Sequence, residues 1–229
     1  MDNTYQNSDS IIKNNVREML SREDFDKSGI VNVFSLPANN FIFERILEEL
    51  YPDVNFVFTC VEGNPLIHQE GLTNLAKNPL RSEITYLRTR TTDYFESIQT
   101  DRTVFDIIWL DYCCQYYKGI IDDLKLVNNL IHRTTIVGVT LMGRREIPLY
   151  SKKLKDKVGR KKKSMKNVRQ VAIPNVIEEH LDLRCNKMIR YRDNIRDKKA
   201  SPMYLYIANG EDKTPKRQVI ELTASVTYA

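Results

Sequence analysis

The sequence predicts an α/β domain whose doubly wound, mostly parallel sheet is closed by a C-terminal antiparallel β-hairpin. Two patterns predict it. Five short apolar runs alternate with helical stretches, as strands buried on both faces of a parallel sheet do; then two late strand-like runs follow with no apolar helix between them. With 229 residues and 41% hydrophobic content, the chain can bury one sizeable core.

Each element follows from local pattern. Residues 1–28 are polar apart from an amphipathic stretch, Ile11 to Leu20, which reads as a helix on the domain edge or as a frayed tail. We take them as an N-terminal extension to a domain spanning 29–229. Ile30 to Leu36 is β-branched and apolar, and Pro37 interrupts it before a helical run from Asn39 to Leu50. After the turn Tyr51-Pro52-Asp53 come a second strand, Val54 to Val61, and a helix, Pro65 to Lys77. Ile84 to Thr89 predicts the third strand, with a short helix near Asp93 to Ile98. Phe105 to Leu110 predicts the fourth, followed by a helix from Lys118 to Ile131, and Thr135 to Met142 the fifth. Beyond a basic insert at 150–170, a helix is expected from Asn175 to Leu181. The hairpin strands are Asn186 to Tyr191 and Met203 to Ala208, and Gln218 to Leu222 extends or caps them.

Composition narrows the setting. Cys60, Cys113, Cys114 and Cys185 include no CxxC, and His68, His132 and His180 show no metal-ligand spacing beside them. Reduced thiols in a cytosol-like compartment and no metal are therefore expected. The longest apolar runs are strand-sized, far short of the roughly 20 residues of a membrane helix, and the polar N-terminus lacks a signal-peptide core. No membrane partner is expected. The net charge of +5 hides an asymmetry: residues 151–169 hold ten Lys/Arg and one Asp, leaving 25 basic against 29 acidic residues elsewhere.

In a sheet of this kind a ligand lies across the carboxyl ends of the strands, near the point where strand order reverses. The residues there are Ser35-Leu36-Pro37-Ala38-Asn39-Asn40 after the first strand, Glu62-Gly63-Asn64 after the second, Thr92-Asp93-Tyr94-Phe95 after the third, and Asp111-Tyr112-Cys113-Cys114 after the fourth. This order of elements and strand ends, over residues 30 to 210, resembles the Rossmann-like class I S-adenosylmethionine-dependent methyltransferases. The loop after strand one departs from that family in having no glycine, and is similar to Pro-rich loops of small viral and mobile-element members. The resemblance implies a cofactor cradle at Ser35, Pro37 and Asn39, where an asparagine tolerates left-handed backbone or caps the next helix. It implies Glu62 as acceptor for both ribose hydroxyls. Asp93 and Tyr94 would contact the adenine, or else cap a helix and pack in the core. It implies that Asp111 accepts a hydrogen bond from a target amine and that Tyr112 stacks on an extruded base, although the Pro-Pro of amino-methylating relatives is missing. Cys113 and Cys114 lack the setting of a nucleophilic thiol.

The fifth strand leads through Arg144 and Arg145 into the basic segment, where Lys152, Lys153, Arg160, Lys161, Lys162 and Lys163 can neutralise phosphates and release counterions. The same run would also serve as a nuclear address in a eukaryotic host. Few aromatics interleave it, so phosphate contact is expected over base stacking. Two functions stay open: methyl transfer from S-adenosylmethionine to DNA or RNA, and non-catalytic nucleic-acid binding on a degenerate methyltransferase fold. A different nucleotide-binding Rossmann-like fold is disfavoured by the absence of GxGxxG and Walker A motifs.

Overall fold

The computed structural model describes residues 11–101, 103–112, 114, 117–142, 152, 165–192, 202–210 and 218–222. In chain order the elements are α1 (Ile11–Ser21), β1 (Ile30–Ser35), α2 (Ile42–Leu50), β2 (Asn55–Val61), α3 (Pro65–Lys77), β3 (Glu83–Leu87), α4 (Thr91–Ser97), β4 (Phe105–Asp111), α5 (Lys118–Val127), β5 (Ile131–Met142), α6 (Met165–His180), β6 (Arg184–Tyr191), β7 (Met203–Asn209) and β8 (Gln218–Glu221). A 3₁₀ turn, Asn128–Leu130, joins α5 to β5.

The strands form one sheet in the order β3-β2-β1-β4-β5-β7-β6-β8. The first five pair in parallel, β7 runs antiparallel between β5 and β6, and β8 extends the far edge parallel to β6. Strand order reverses between β1 and β4, so the carboxyl ends of these two strands open a crevice. The apolar runs pack both faces. Phe95, Ile120, Leu124, Ile173 and Ile177 cover one side of the sheet, and Val16, Leu20, Phe43 and Leu47 cover the other. No helix among the described residues is long and apolar enough to cross a membrane.

For one element the structure chooses between two expectations, and two others differ from the expectation because packing overrides a local signal. The amphipathic stretch is not a frayed tail: α1 buries Val16 and Leu20 on the sheet, and its close approach needs Gly138, where an added Cβ would lie 2.7 Å from Leu20 Cδ2. The helix expected from Asn175 begins ten residues earlier, at Met165, and carries Pro174 inside it. Burial of Ala172, Ile173, Val176 and Ile177 around that proline offsets the hydrogen bond it removes. The helix expected from Asn39 begins at Ile42, because Phe41 adopts left-handed backbone (φ 53°). That conformation costs a residue with a Cβ about 1–2 kcal/mol. It is offset by complete burial of the Phe41 ring, edge-on to Tyr86 with centroids 4.9 Å apart.

Candidate active site

A cleft of about 620 Å³ opens where strand order reverses, lined by Leu36, Ala38, Glu62, Asn64, Arg90, Thr92, Asp111, Tyr112 and Asp123 among others. Of the residues singled out in the sequence, it brings together Glu62, Asp111 and Tyr112. Glu62 follows the last residue of β2, and its backbone N–H donates to Leu87 O of β3 at 3.0 Å, which carries the pairing one residue past the end of β2. Its Oε1 accepts from the Asn64 N–H at 2.6 Å. Asn64 in turn caps α3, its side chain accepting from the N–H groups of Leu66 and Ile67. Burial raises the Glu62 carboxyl above its ordinary pKa, against the Asn64 hydrogen bond that lowers it.

Asp111 closes β4 and is buried. Its partner is Lys13 of α1, whose Nζ lies 3.0 Å from Oδ2, with the two side chains 5% and 2% exposed. Tyr112 packs its ring against the core beside α5, and its hydroxyl donates to Asp123 Oδ2 at 2.6 Å. Burial, followed by the charge of Asp123, pushes the phenol well above its usual pKa. Thr92 Oγ1 donates to the other oxygen of Asp123 at 2.5 Å. Asp123 thereby ties β4, α4 and α5 together, and its own pKa is raised by burial.

The remaining cofactor candidates lie elsewhere. Ser35 is buried behind the cleft, its hydroxyl bonded to Glu44 and 3.3 Å from Cys60 Sγ. Pro37 is buried, and Asn39 turns outward to donate to Glu70 at 3.0 Å. Neither asparagine of the loop supplies the left-handed residue or the helix cap. Asn39 O and Asn40 Oδ1 both accept from Asn74 of α3, and the left-handed residues are Ala38 (φ 56°) and Phe41. Ala38 lines the cleft, so the glycine-free loop makes the backbone turn for which glycine is usually selected. Asp93 is exposed on the outer side of α4, while Thr91 and Thr92 face the cleft. Tyr94 stacks on Phe34 with centroids 5.6 Å apart, on the core side.

Lys152 is exposed, whereas Arg144, Arg145, Lys153, Arg160, Lys161, Lys162 and Lys163 lie outside the described residues, as does Cys113. Cys114 is half-buried, and burial pushes its thiol up to about 12, which leaves it protonated at neutral pH. Among the described residues no group of three or more His, Cys, Asp or Glu is arranged to hold a metal ion.

Three residues missed in the sequence matter here: Lys13, Glu44 and Asp123. The signal for the acids was an acid on an apolar stripe. Asp123 shares its helix face with Ile120, Leu124 and Val127, and Glu44 shares its own with Phe43 and Leu47. Glu44 Oε1 accepts from Ser35, while Oε2 is buried without a hydrogen-bond partner among the described residues. Burial raises its pKa, against Ser35 and the charge of Arg17. A raised folded-state pKa means that the folded chain binds the extra proton first. Stability is then fullest below the ordinary glutamate range and falls as pH rises through the raised value. Wild-type chain is expected to melt higher at pH 5 than at pH 7. Glu44→Gln should shrink that difference; an unchanged difference in a scanning calorimetry series would exclude Glu44 as its source.

No protein-family model matches the chain, and no curated relative matches it in sequence. Solved structures do match the fold. The S-adenosylmethionine-dependent methyltransferase from Agrobacterium tumefaciens aligns with a TM-score of 0.55 at 10% identity, over 88% of this chain and 62% of that one. Mitomycin 7-O-methyltransferase MmcR aligns at 0.52 and 13% identity, over 86% and 53%. A candidate rRNA methylase from Clostridium thermocellum aligns at 0.51 and 13% identity, over 87% and 94%. The chain therefore spans less than two thirds of the first two. The sheet is the Rossmann-like fold of S-adenosylmethionine-dependent methyltransferases.

Proposed function

We propose, from the fold it shares with those methyltransferases, that the chain transfers a methyl group from S-adenosylmethionine to a nucleic acid. The observation that carries this reading is Glu62, an acid at the end of β2 that lines a cleft where the sheet reverses order.

The residues present fit the cofactor. Glu62 offers the ribose hydroxyls a carboxylate oriented by the Asn64 N–H. The left-handed turn at Ala38 and the backbone of Gly63 leave the cleft wall open for close approach. Its volume lies in the range that enclosed small ligands occupy. When bound, S-adenosylmethionine supplies an electrophilic methyl group. Asp111, oriented by Lys13, accepts a hydrogen bond from the acceptor group at the β4 end. Tyr112 walls that end and excludes water from it.

A nucleic-acid acceptor is supported by the charge of residues 151–169. It is supported further by the end of β5, which pairs beside Asp111 through Thr140 before the chain enters that segment. Replacing Lys161, Lys162 and Lys163 together with Ala is expected to weaken nucleic-acid binding similarly across sequences. It should also flatten the dependence of log affinity on log salt by up to roughly 0.9 per lost duplex phosphate contact. An unchanged slope in fluorescence-anisotropy titrations would remove the segment from the interface.

The second reading, nucleic-acid binding without catalysis, is favoured by the burial of Asp111 against Lys13. Calorimetric titration of the full chain with S-adenosylmethionine and S-adenosylhomocysteine decides between them. Neither heat nor a thermal shift at millimolar ligand would reject the enzyme and leave the binding protein.

A further inference from the structure

Asp123 is an acid of the cleft that no cation offsets among the described residues. It projects from α5, is 2% exposed, and accepts hydrogen bonds from Thr92 Oγ1 at 2.5 Å and Tyr112 OH at 2.6 Å. Both donors are neutral. Asp111 in the same cleft has Lys13, whereas among the described residues no lysine or arginine forms an ion pair with Asp123. The charges acting on it are those of Asp122 on its own helix and Asp93 on α4, both of like sign. Tyr117, which lines the same wall, has its phenol pushed up to about 12 and so brings no charge at neutral pH. Among the described residues the cation that lines the cleft is Arg90, at the start of α4, and it is exposed.

A carboxylate withdrawn from water with no counter-ion is costly, and two hydroxyl donors offset only part of that cost. Such a site gains when a positive charge enters beside it in the same water-poor wall. We propose that Asp123 is the counter-charge for a cationic group of the ligand, so that the cleft selects a positively charged adenosyl compound over a neutral one. The role rests on the proposed binding of S-adenosylmethionine, which carries two cationic groups, a sulfonium and an ammonium. A preference for the sulfonium also favours release of the product, which lacks it.

Four ligands separate these sources in calorimetric titrations of the full chain. S-adenosylmethionine has both charges, S-adenosylhomocysteine keeps only the ammonium, sinefungin carries an amine where the S-methyl stood, and 5′-methylthioadenosine has neither. Wild type is expected to bind S-adenosylmethionine and sinefungin about tenfold tighter than S-adenosylhomocysteine, the scale of one shielded charged contact. Asp123→Asn keeps the size and an acceptor for Thr92, and should bring the two down to the level of S-adenosylhomocysteine while leaving 5′-methylthioadenosine unchanged. An equal loss for the three amino-acid ligands, again sparing 5′-methylthioadenosine, also supports the counter-charge and assigns it to the ammonium. An equal loss for all four ligands, or no change for any, overturns the proposal. If the variant does not fold, wild type decides alone: equal affinity for all four ligands overturns it. Binding of none by wild type overturns the cofactor reading, and the role of Asp123 with it.

Discussion

Asp111→Ala is expected to lower methyl transfer by a factor on the order of 10² or more and to destabilise the fold at the same time. The chemical loss follows from its place at the end of β4, lining the cleft where the acceptor would meet the methyl donor. The stability loss follows from its partner. Lys13 Nζ lies 3.0 Å from Oδ2 with only 5% of its side chain exposed, and breaking a buried ion pair from one side costs up to about 3–5 kcal/mol. Lys13→Met should also destabilise, by breaking the same pair from the other side. The double variant Lys13→Met/Asp111→Leu, which replaces the pair with apolar groups of similar size, should recover most of the stability and none of the transfer. Urea denaturation of the four proteins, with transfer of labelled methyl to total RNA and to denatured DNA, checks both halves. A folded Asp111→Ala chain with full transfer would remove Asp111 from the mechanism. Additive stability losses in the double variant would mean that the ion pair is not a coupled unit.

Glu62→Ala is expected to weaken S-adenosylmethionine binding at least tenfold. A charged acceptor contributes roughly 1.5–3 kcal/mol per shielded hydrogen bond, and about 1.4 kcal/mol corresponds to a factor of ten. The fold should survive with a cost near 1 kcal/mol, since truncation frees the Asn64 N–H but removes little packing. Glu62→Gln should be milder, because an amide oxygen still accepts from one hydroxyl. Affinity should also fall as pH drops through the Glu62 pKa, which burial holds above the ordinary carboxylate value, because the protonated acid loses acceptor strength. That loss should be absent in Glu62→Gln. Calorimetry at pH 5 and pH 7.5 reads both effects, and unchanged affinity in Glu62→Ala would place the ribose elsewhere.

How much of the site is legible in the sequence depends on what sets each residue's position. Glu62 and Asp111 are legible because each ends an apolar strand, and the end of a parallel strand faces the crevice whatever surrounds it. Asp93 misleads because one helical residue turns a side chain by about 100°: Thr92 points to the cleft and Asp93 to water. Ser35 misleads for a similar reason, since strand alternation turns it toward Glu44 and away from the cleft. Ala38 hides its role because its type carries no sign of left-handed backbone. That conformation is imposed on the loop from outside, where Tyr86 OH holds the Ala38 carbonyl at 2.6 Å.

The strands, their mostly parallel pairing and the antiparallel hairpin that closes the sheet are legible in the residues alone, because strand and helix periodicities are local. So are the acid just after β2 and the acid that ends β4. That α1 packs on the domain and sends Lys13 to Asp111, and that Asp123 binds Thr92 and Tyr112, follows from three-dimensional packing. These contacts join residues 98, 31 and 11 positions apart. A charge on an amphipathic helix reads the same whether it meets water or a buried partner; which one it meets is set by how the helices seat on the sheet.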